Sequence, residues 1–323
     1  MFEGVLPAII TPFKRNSAMD LDISGLERNI RFLMSRGIHG IVPCGSTGES
    51  ATLTFKEHEK VIDVTIDMVN GRIPVLAGTG SNNTAEAVTL TEAAKDSGAD
   101  GVLVISPYYN KPNRSGLVKH YMKIADLDLP VVVYNVPGRT GQNLEPDLIA
   151  ELARHPNIVG VKEASGNIGQ VSRIIELTRD EDFAVISGDD NLILPIIALG
   201  GKGVISVAAN VDPVRMVSMY EAAVKGDWEK ALTLHYALSS LFRAMFIDTN
   251  PIPVKKAVEL MGMAGGPVRL PLDNLDDKKT QELKKVLAAI PVVNTAARSS
   301  HVIRRTSPLT VRKPALTLKK HRR

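Results

Sequence analysis

One cysteine, Cys44, stands in 323 residues. That excludes a disulfide framework within the chain and a cysteine-based metal cluster, and it suits a reducing compartment. No apolar run reaches the roughly 18 residues that a membrane span requires. The opening residues Met1-Phe2-Glu3-Gly4 lack a basic stretch followed by an apolar core, so no secretion signal is read there and the expected location is cytoplasmic. A phosphate-cradling Gly-x-x-x-x-Gly-Lys is missing. No Gly-x-Gly-x-x-Gly follows the first apolar run, and Gly78-Thr79-Gly80 is too short to serve as one. No His/Asp/Glu cluster has the look of metal ligation. The expectation is a protein with no metal or other cofactor, and with no nucleic-acid or membrane partner.

Acidic residues are absent from the last 33 positions, which are rich in basic ones. Residues 291–323 hold nine Lys/Arg and no Asp or Glu, whereas residues 1–290 hold 30 basic and 35 acidic side chains. The overall charge of +4 therefore belongs to the tail, and the rest of the chain carries −5. Nothing in that rest suggests a nucleic-acid surface. The tail has no sustained period and reads as disordered. An arm for an anionic surface is the alternative reading.

What is present is alternation. Strand-like runs at 4–13, 39–44, 74–78, 101–106, 130–135, around Lys162 between Pro156 and Gly166, at 183–187 and at 203–208 are each followed by a helical pattern: 23–36, 55–69, 85–96, 117–125, 146–154, 167–179, 192–199 and 214–224. Eight such units, with Gly37, Gly71, Gly98 and Gly200 closing helices before the next strand, predict an α/β fold, a (β/α)8 TIM barrel. An open doubly wound sheet is the alternative. Further helical patterns at 227–246, 253–261 and 276–289 form an appended C-terminal helical region, with assembly as one use for it. The domain expectation is a catalytic barrel over 1–225, the helical region over 226–290 and the basic tail over 291–323.

Within this pattern one lysine stands out. Lys162 sits near the carboxyl end of the apolar run that contains Val159 and Val161. Burial disfavours an ammonium, and a neutral amine can form a Schiff base with a carbonyl. Pairing with the adjacent Glu163, or exposure to solvent, is the plain alternative. In a barrel the active site is built at the carboxyl ends of the strands. The residues gathered there include Ser46 and Thr47 between Gly45 and Gly48, then Tyr108 and Tyr109, Tyr134, Arg139, Lys162, Asp189 and Asp190. That set suits imine chemistry, with an amine to attack a ketone, and a phenol and hydroxyls to move protons. The Ser46-Thr47 turn offers main-chain N–H groups, and Arg139 a bidentate fork, for carboxylates. Each has an ordinary reading beside it: Tyr134 as a core tyrosine, Ser46-Thr47 as a helix cap with Glu49 as its partner, Arg139 as a loop residue.

Three stretches, Gly45-Ser46-Thr47-Gly48-Glu49, Tyr134-Asn135-Val136-Pro137-Gly138-Arg139-Thr140-Gly141 and Gly160-Val161-Lys162-Glu163-Ala164-Ser165-Gly166, resemble the signature stretches of the dihydrodipicolinate synthase family. That family lies within the pyruvate-dependent class I aldolases that also include N-acetylneuraminate lyase. The likeness runs from about residue 2 to 289 in matching order, through Pro107-Tyr108-Tyr109-Asn110, Ser187-Gly188-Asp189-Asp190 and Asn250-Pro251-Ile252-Pro253-Val254-Lys255. The resemblance implies a lyase that condenses pyruvate with L-aspartate 4-semialdehyde and closes the ring, in lysine and diaminopimelate biosynthesis. It implies that Lys162 forms the imine and that Tyr134 donates and accepts the proton. Ser46 completes the relay with Tyr109, which a neighbouring subunit offers. Thr47 and the main chain of Ile205 would bind pyruvate, and Arg139 the carboxylate of the aldehyde. It further implies a homotetramer, a dimer of dimers, and a lysine site between subunits at Ala51, Phe55, His58, Asn82, Glu86 and Tyr108. Serine at 46, where threonine is commoner in the family, and phenylalanine at 55 depart from the pattern. The tail matches nothing in it. The rival readings are a sugar-acid aldolase of the same superfamily and a catalytically silent barrel that binds a ligand.

Overall fold

The structure, a computed structural model, describes residues 2–290; the predicted basic tail lies outside them. Seven parallel strands form one sheet: β1 (Gly4–Pro7), β2 (Leu76–Gly78), β3 (Gly101–Ile105), β4 (Val131–Asn135), β5 (Ile158–Glu163), β6 (Ala184–Ser187) and β7 (Gly203–Ser206). Their order is β1-β7-β6-β5-β4-β3-β2. Every strand residue except Val159 and Ile105 is buried. Strands covered on both faces read as continuous apolar runs, and Val131-Val132-Val133 is such a run.

The stretch 39–44, expected as the second strand, is not a ladder of its own. It makes single parallel bridges, Ala8 to Val42 and Ile41 to Val75. Pro43 has no N–H to donate, and Cys44 is left-handed at φ 55°, so regular pairing stops there. Even so, Ile9 N–H donates to the Val42 carbonyl at 3.0 Å, and Leu76 N–H to that of Ile41 at 2.9 Å. Both edge strands of the sheet are thus hydrogen-bonded to this one stretch. The sheet is curled and TIM-barrel-like.

The described residues hold twelve α-helices: α1 (Ile23–Met34), α2 (Phe55–Val69), α3 (Thr84–Ser97), α4 (Arg114–Ala125), α5 (Pro137–Thr140), α6 (Pro146–Leu152), α7 (Ile168–Thr178), α8 (Ile193–Ala198), α9 (Pro213–Val224), α10 (Trp228–Ala244), α11 (Ile252–Leu260) and α12 (Asp277–Ala288). Many begin with a side-chain cap. Asp22, Asn83, Asn113, Asn167, Asp212, Asp227 and Asp276 each accept a main-chain N–H of the first turn, which fixes where each helix starts. Helix α2 carries a full capping box, Thr54 with Glu57. Met1–Ala289 forms one compact unit, so α10 to α12 pack as part of it. Among the described residues no helix is long and apolar enough to cross a membrane.

The interior of the curl is a cluster of buried side chains: Leu6, Val42, Leu76, Leu103, Val132, Tyr134, Ala184, Ile186 and Ile205 among them. Tyr134 and Lys162 rise from this layer at the strand ends.

Candidate active site

Tyr134 on β4 and Lys162 on β5 are register partners in adjacent strands. Successive side chains of a strand point to opposite faces, so Lys162 and Glu163 part company. Glu163 accepts from Asn135 Nδ2 at 2.9 Å, from Gln170 Nε2 at 3.2 Å and from the Ser165 N–H at 2.7 Å. The predicted alternative of a Lys162–Glu163 pair is therefore not what forms. Lys162 is instead 6% exposed, with its Nζ 4.1 Å from the centroid of the Tyr134 ring. Burial pulls its ammonium down from 10.5 to about 8, against the opposing pull of the nearby Asp189 and Asp190. A lysine lowered that far holds a useful fraction of free amine near neutrality.

Gly188 packs against it. A Cβ at that position would lie 3.2 Å from Lys162 Cε and 2.5 Å from Ala164 Cβ. A larger residue there would push into the space the lysine occupies.

Tyr134 is also buried, which holds its phenol up at about 12; Asp189 adds to the rise, while Arg139 and a hydrogen bond with the Ser46 side chain oppose it. Tyr134, Ser46 and Arg139 line a cavity of about 700 Å³, and Glu49, His58, Glu86, Tyr108 and Asn250 share that lining. The turn that carries Ser46 and Thr47 is a short 3-10 segment, Ser46–Gly48. It is not the helix cap that its sequence also permits: α2 is capped by Thr54, and Glu49 turns away to an ion pair with Lys255. Thr47 is buried, and its Oγ1 accepts from Asn250 Nδ2 at 3.0 Å.

Arg139 lies on α5, a four-residue helix that Pro137 opens directly after β4. Its Nη2 donates to the Asn250 carbonyl at 3.0 Å, which aims the fork while leaving its other donors unassigned. Ile205 is fully buried on β7, opposite Leu6. The end of that strand is pinned by Asp190, which accepts from Ser206 Oγ at 2.5 Å, Val207 N–H at 3.1 Å and Ala208 N–H at 2.9 Å.

Tyr109 is not brought into this cavity. It is 88% exposed and left-handed at φ 73°, an outlying conformation for a bulky residue that must be held by its surroundings. Its N–H donates to the Thr140 carbonyl at 3.4 Å, and Asn110 Nδ2 donates to the Asn82 carbonyl at 2.8 Å.

The expected lysine-site residues also draw together. Ala51, Phe55, His58, Glu86 and Tyr108 share the cavity wall, and Asn82 Nδ2 donates to the Tyr108 carbonyl at 3.1 Å. Burial pushes His58 down to about 4, its ring is hydrogen-bonded to the Gly78 main chain, and its Nδ1 has no partner. Ser81 Oγ donates to Glu86 at 2.7 Å.

Sequence reasoning gave no role to Asn250 and Lys255, noted only within a matching stretch, and did not single out Arg269; all three reach this site from the C-terminal region. Lys255 carried the same signal as Lys162, a lysine inside an apolar run. Among the described residues no group of three or more His, Cys, Asp or Glu side chains is placed to hold a metal ion.

Comparison with known proteins agrees with the geometry. The profile of the dihydrodipicolinate synthetase family matches residues 1–290. The 4-hydroxy-tetrahydrodipicolinate synthase of Methanoculleus marisnigri is 74% identical over 287 residues, 89% of this chain and 99% of that protein. That of Methanospirillum hungatei is 70% identical over 288 residues, with the same coverage of 89% and 99%. Among solved structures, a crystal structure of a dihydrodipicolinate synthase at 53% identity superposes with a TM-score of 0.85, covering 89% of this chain and 98% of that one.

Proposed function

The chain belongs to the dihydrodipicolinate synthetase family, and from that premise we propose that Lys162 carries the synthase reaction: condensation of pyruvate with L-aspartate 4-semialdehyde, then ring closure to 4-hydroxy-tetrahydrodipicolinate. This is the lyase that opens lysine and diaminopimelate biosynthesis. The observation that carries the assignment is a desolvated Lys162 amine 4.1 Å from the ring of its register partner Tyr134. The amine adds to the ketone carbon of pyruvate and water leaves, giving the imine. Loss of a methyl proton gives the enamine, whose carbon attacks the aldehyde. The substrate's amino group then closes on the former ketone carbon and returns the lysine. Tyr134, with Ser46, moves the protons. Thr47 and the Ile205 main chain hold the pyruvate carboxylate and carbonyl end.

The test is borohydride reduction in the presence of pyruvate, followed by a panel of aldehydes and sugar acids. Turnover with the semialdehyde supports the reading. Turnover only with N-acetylneuraminate or 2-keto-3-deoxygluconate would replace it with a sugar-acid aldolase.

Arg139 is assigned to the aldehyde's carboxylate. A charged hydrogen bond of this kind contributes about 1.5–3 kcal/mol, so Arg139→Ala should raise KM for the aldehyde roughly 10- to 150-fold and that for pyruvate far less. Steady-state kinetics in both substrates checks this. Equal effects would mean that Arg139 shapes the site without reading that group.

The hydrogen bonds on either side of the 39–44 stretch support reading the curled sheet as a closed (β/α)8 barrel, with 1–225 as the catalytic part and 226–290 as its support. The exposure of Tyr109 supports its use by a second copy of the chain, within a homotetramer built as a dimer of dimers. The single buried cysteine suits the cytoplasm.

The cavity wall around His58 supports feedback inhibition by lysine. A neutral His58 with a free Nδ1 can accept from the ligand's side-chain ammonium. Glu86 would pair with the α-ammonium, and Asn82 and Tyr108 would take the carboxylate. Lysine titrated against the initial rate at fixed pyruvate should give partial inhibition that vanishes in Glu86→Ala. Full activity at millimolar lysine would remove the site.

A further inference from the structure

We infer that Lys255, on α11, is a positioning residue for the imine site, acting through Glu49 on the Ser46–Gly48 turn. The inference rests on the assignment of that turn to pyruvate and of Lys162 to the imine.

Lys255 and Glu49 are both 1% exposed in their side chains and lie 2.5 Å apart. Each of the three ammonium protons has a destination: Glu49 Oε1, the Thr11 carbonyl at 3.0 Å and the Pro267 carbonyl at 2.6 Å. The ammonium also lies 4.3 Å from the centroid of the Phe13 ring. The second oxygen of Glu49 accepts from the Arg269 N–H at 3.0 Å. One side chain thus ties together the stretch after β1, the glycine-flanked turn and the C-terminal region.

The turn needs such a tie. Glu49 is the residue immediately after it and is left-handed, at φ 54°. That conformation is unfavourable for a residue with a Cβ and persists only where the surroundings impose it. The Glu49 N–H donates back to the Ser46 carbonyl at 3.2 Å. Thr11 closes the arrangement from behind, its Oγ1 donating to the Gly48 carbonyl at 2.7 Å while its own carbonyl accepts from Lys255. Without the ammonium, the Glu49 carboxylate keeps only the Arg269 N–H, and its left-handed conformation loses the stronger of its two side-chain ties. Relaxation would carry Thr47 and Ser46 with it, and Ser46 is hydrogen-bonded to the Tyr134 side chain.

A buried ion pair is a poor device for stability alone, since well-packed neutral residues often do as well or better. What an apolar replacement lacks is the set of hydrogen bonds that tie Glu49 to the Thr11 and Pro267 carbonyls through one ammonium. That contrast supplies the test. The double variant Glu49→Gln/Lys255→Met removes both charges and leaves no unpaired ion. Its thermal midpoint is expected to fall, because the Thr11 and Pro267 carbonyls lose their donor, with the variant still folded at the assay temperature. Its rate of borohydride-trapped adduct formation, and its kcat/KM for pyruvate, should fall about tenfold or more, because small misplacements of positioning groups cost that much. KM for the aldehyde should stay within about threefold.

A folded double variant that forms the adduct at the parent's rate would overturn the inference. So would a double variant that does not fold, because the pair would then hold the whole unit and not the turn. Equal losses in both substrates would do the same. The parent enzyme assayed alongside keeps the two readings apart. A parent that forms no adduct strikes the proposed function itself, while an active parent with an unaffected double variant strikes only the role of Lys255.

Discussion

Lys162→Ala should leave no adduct that borohydride can trap with pyruvate and should lower turnover about 10⁴-fold or more, as loss of a covalent nucleophile does. The reason lies in what the lysine's surroundings do to its charge. Desolvation lowers it to about 8, so that roughly a tenth of the molecules carry free amine at pH 7 and half at pH 8. The rate of adduct formation should therefore rise from pH 7 through pH 8 and level off above it. A lysine near its ordinary value would still be climbing beyond pH 9. Peptide mapping of the reduced protein should find a single modified residue. Modification at Lys111 or Lys202 in its place would end the assignment.

The second large effect belongs to Tyr134. Tyr134→Phe keeps the ring that packs against Lys162 and removes only the hydroxyl. A single acid–base group contributes about 10²–10⁴-fold, and a loss in that range is expected, with pyruvate affinity changed much less. Because burial holds the phenol at about 12, it enters the reaction protonated at every working pH. It should therefore add no limb of its own to the pH profile below pH 10. Near-normal turnover in the variant would show that another group moves the proton.

Much of this site was legible in the sequence because it depends on local spacing. Lys162 and Tyr134 each close an apolar run, and a strand that emerges from a core places its terminal polar residue at the rim. The helix starts were legible for a similar reason. Asp22, Asn83 and Asn167 are short polar residues just before an amphipathic period. The stretch 39–44 shows the limit of period alone: its apolar pattern is that of a strand, but Pro43 and the left-handed Cys44 break the ladder that the pattern promises.

What stayed illegible is long-range. Asn250 reaches Thr47 across 203 residues, and Lys255 reaches Glu49 across 206. Glu49 offered a nearer partner in its own sequence, a helix to cap, and only the folded chain shows that Thr54 has taken that role. The four residues Pro137–Thr140 likewise give no helical period, being barely one turn long, though they decide where Arg139 stands.

The register of β4 against β5 has a consequence for how such an enzyme can change. Tyr134 faces Lys162 because their strands are hydrogen-bonded neighbours, a spacing of about 4.8 Å that the peptide backbone sets. No loop length enters that separation. Arg139 and Tyr109, by contrast, stand on short segments beyond the strand ends, where insertions and substitutions alter geometry at little cost to the core. Under the proposed roles, nucleophile and phenol would behave as a fixed instrument, and Arg139, the proposed reader of the second substrate, as an exchangeable fitting. A change of aldehyde partner would then require a new segment after β4 while leaving the carbon–carbon bond-forming machinery as it is.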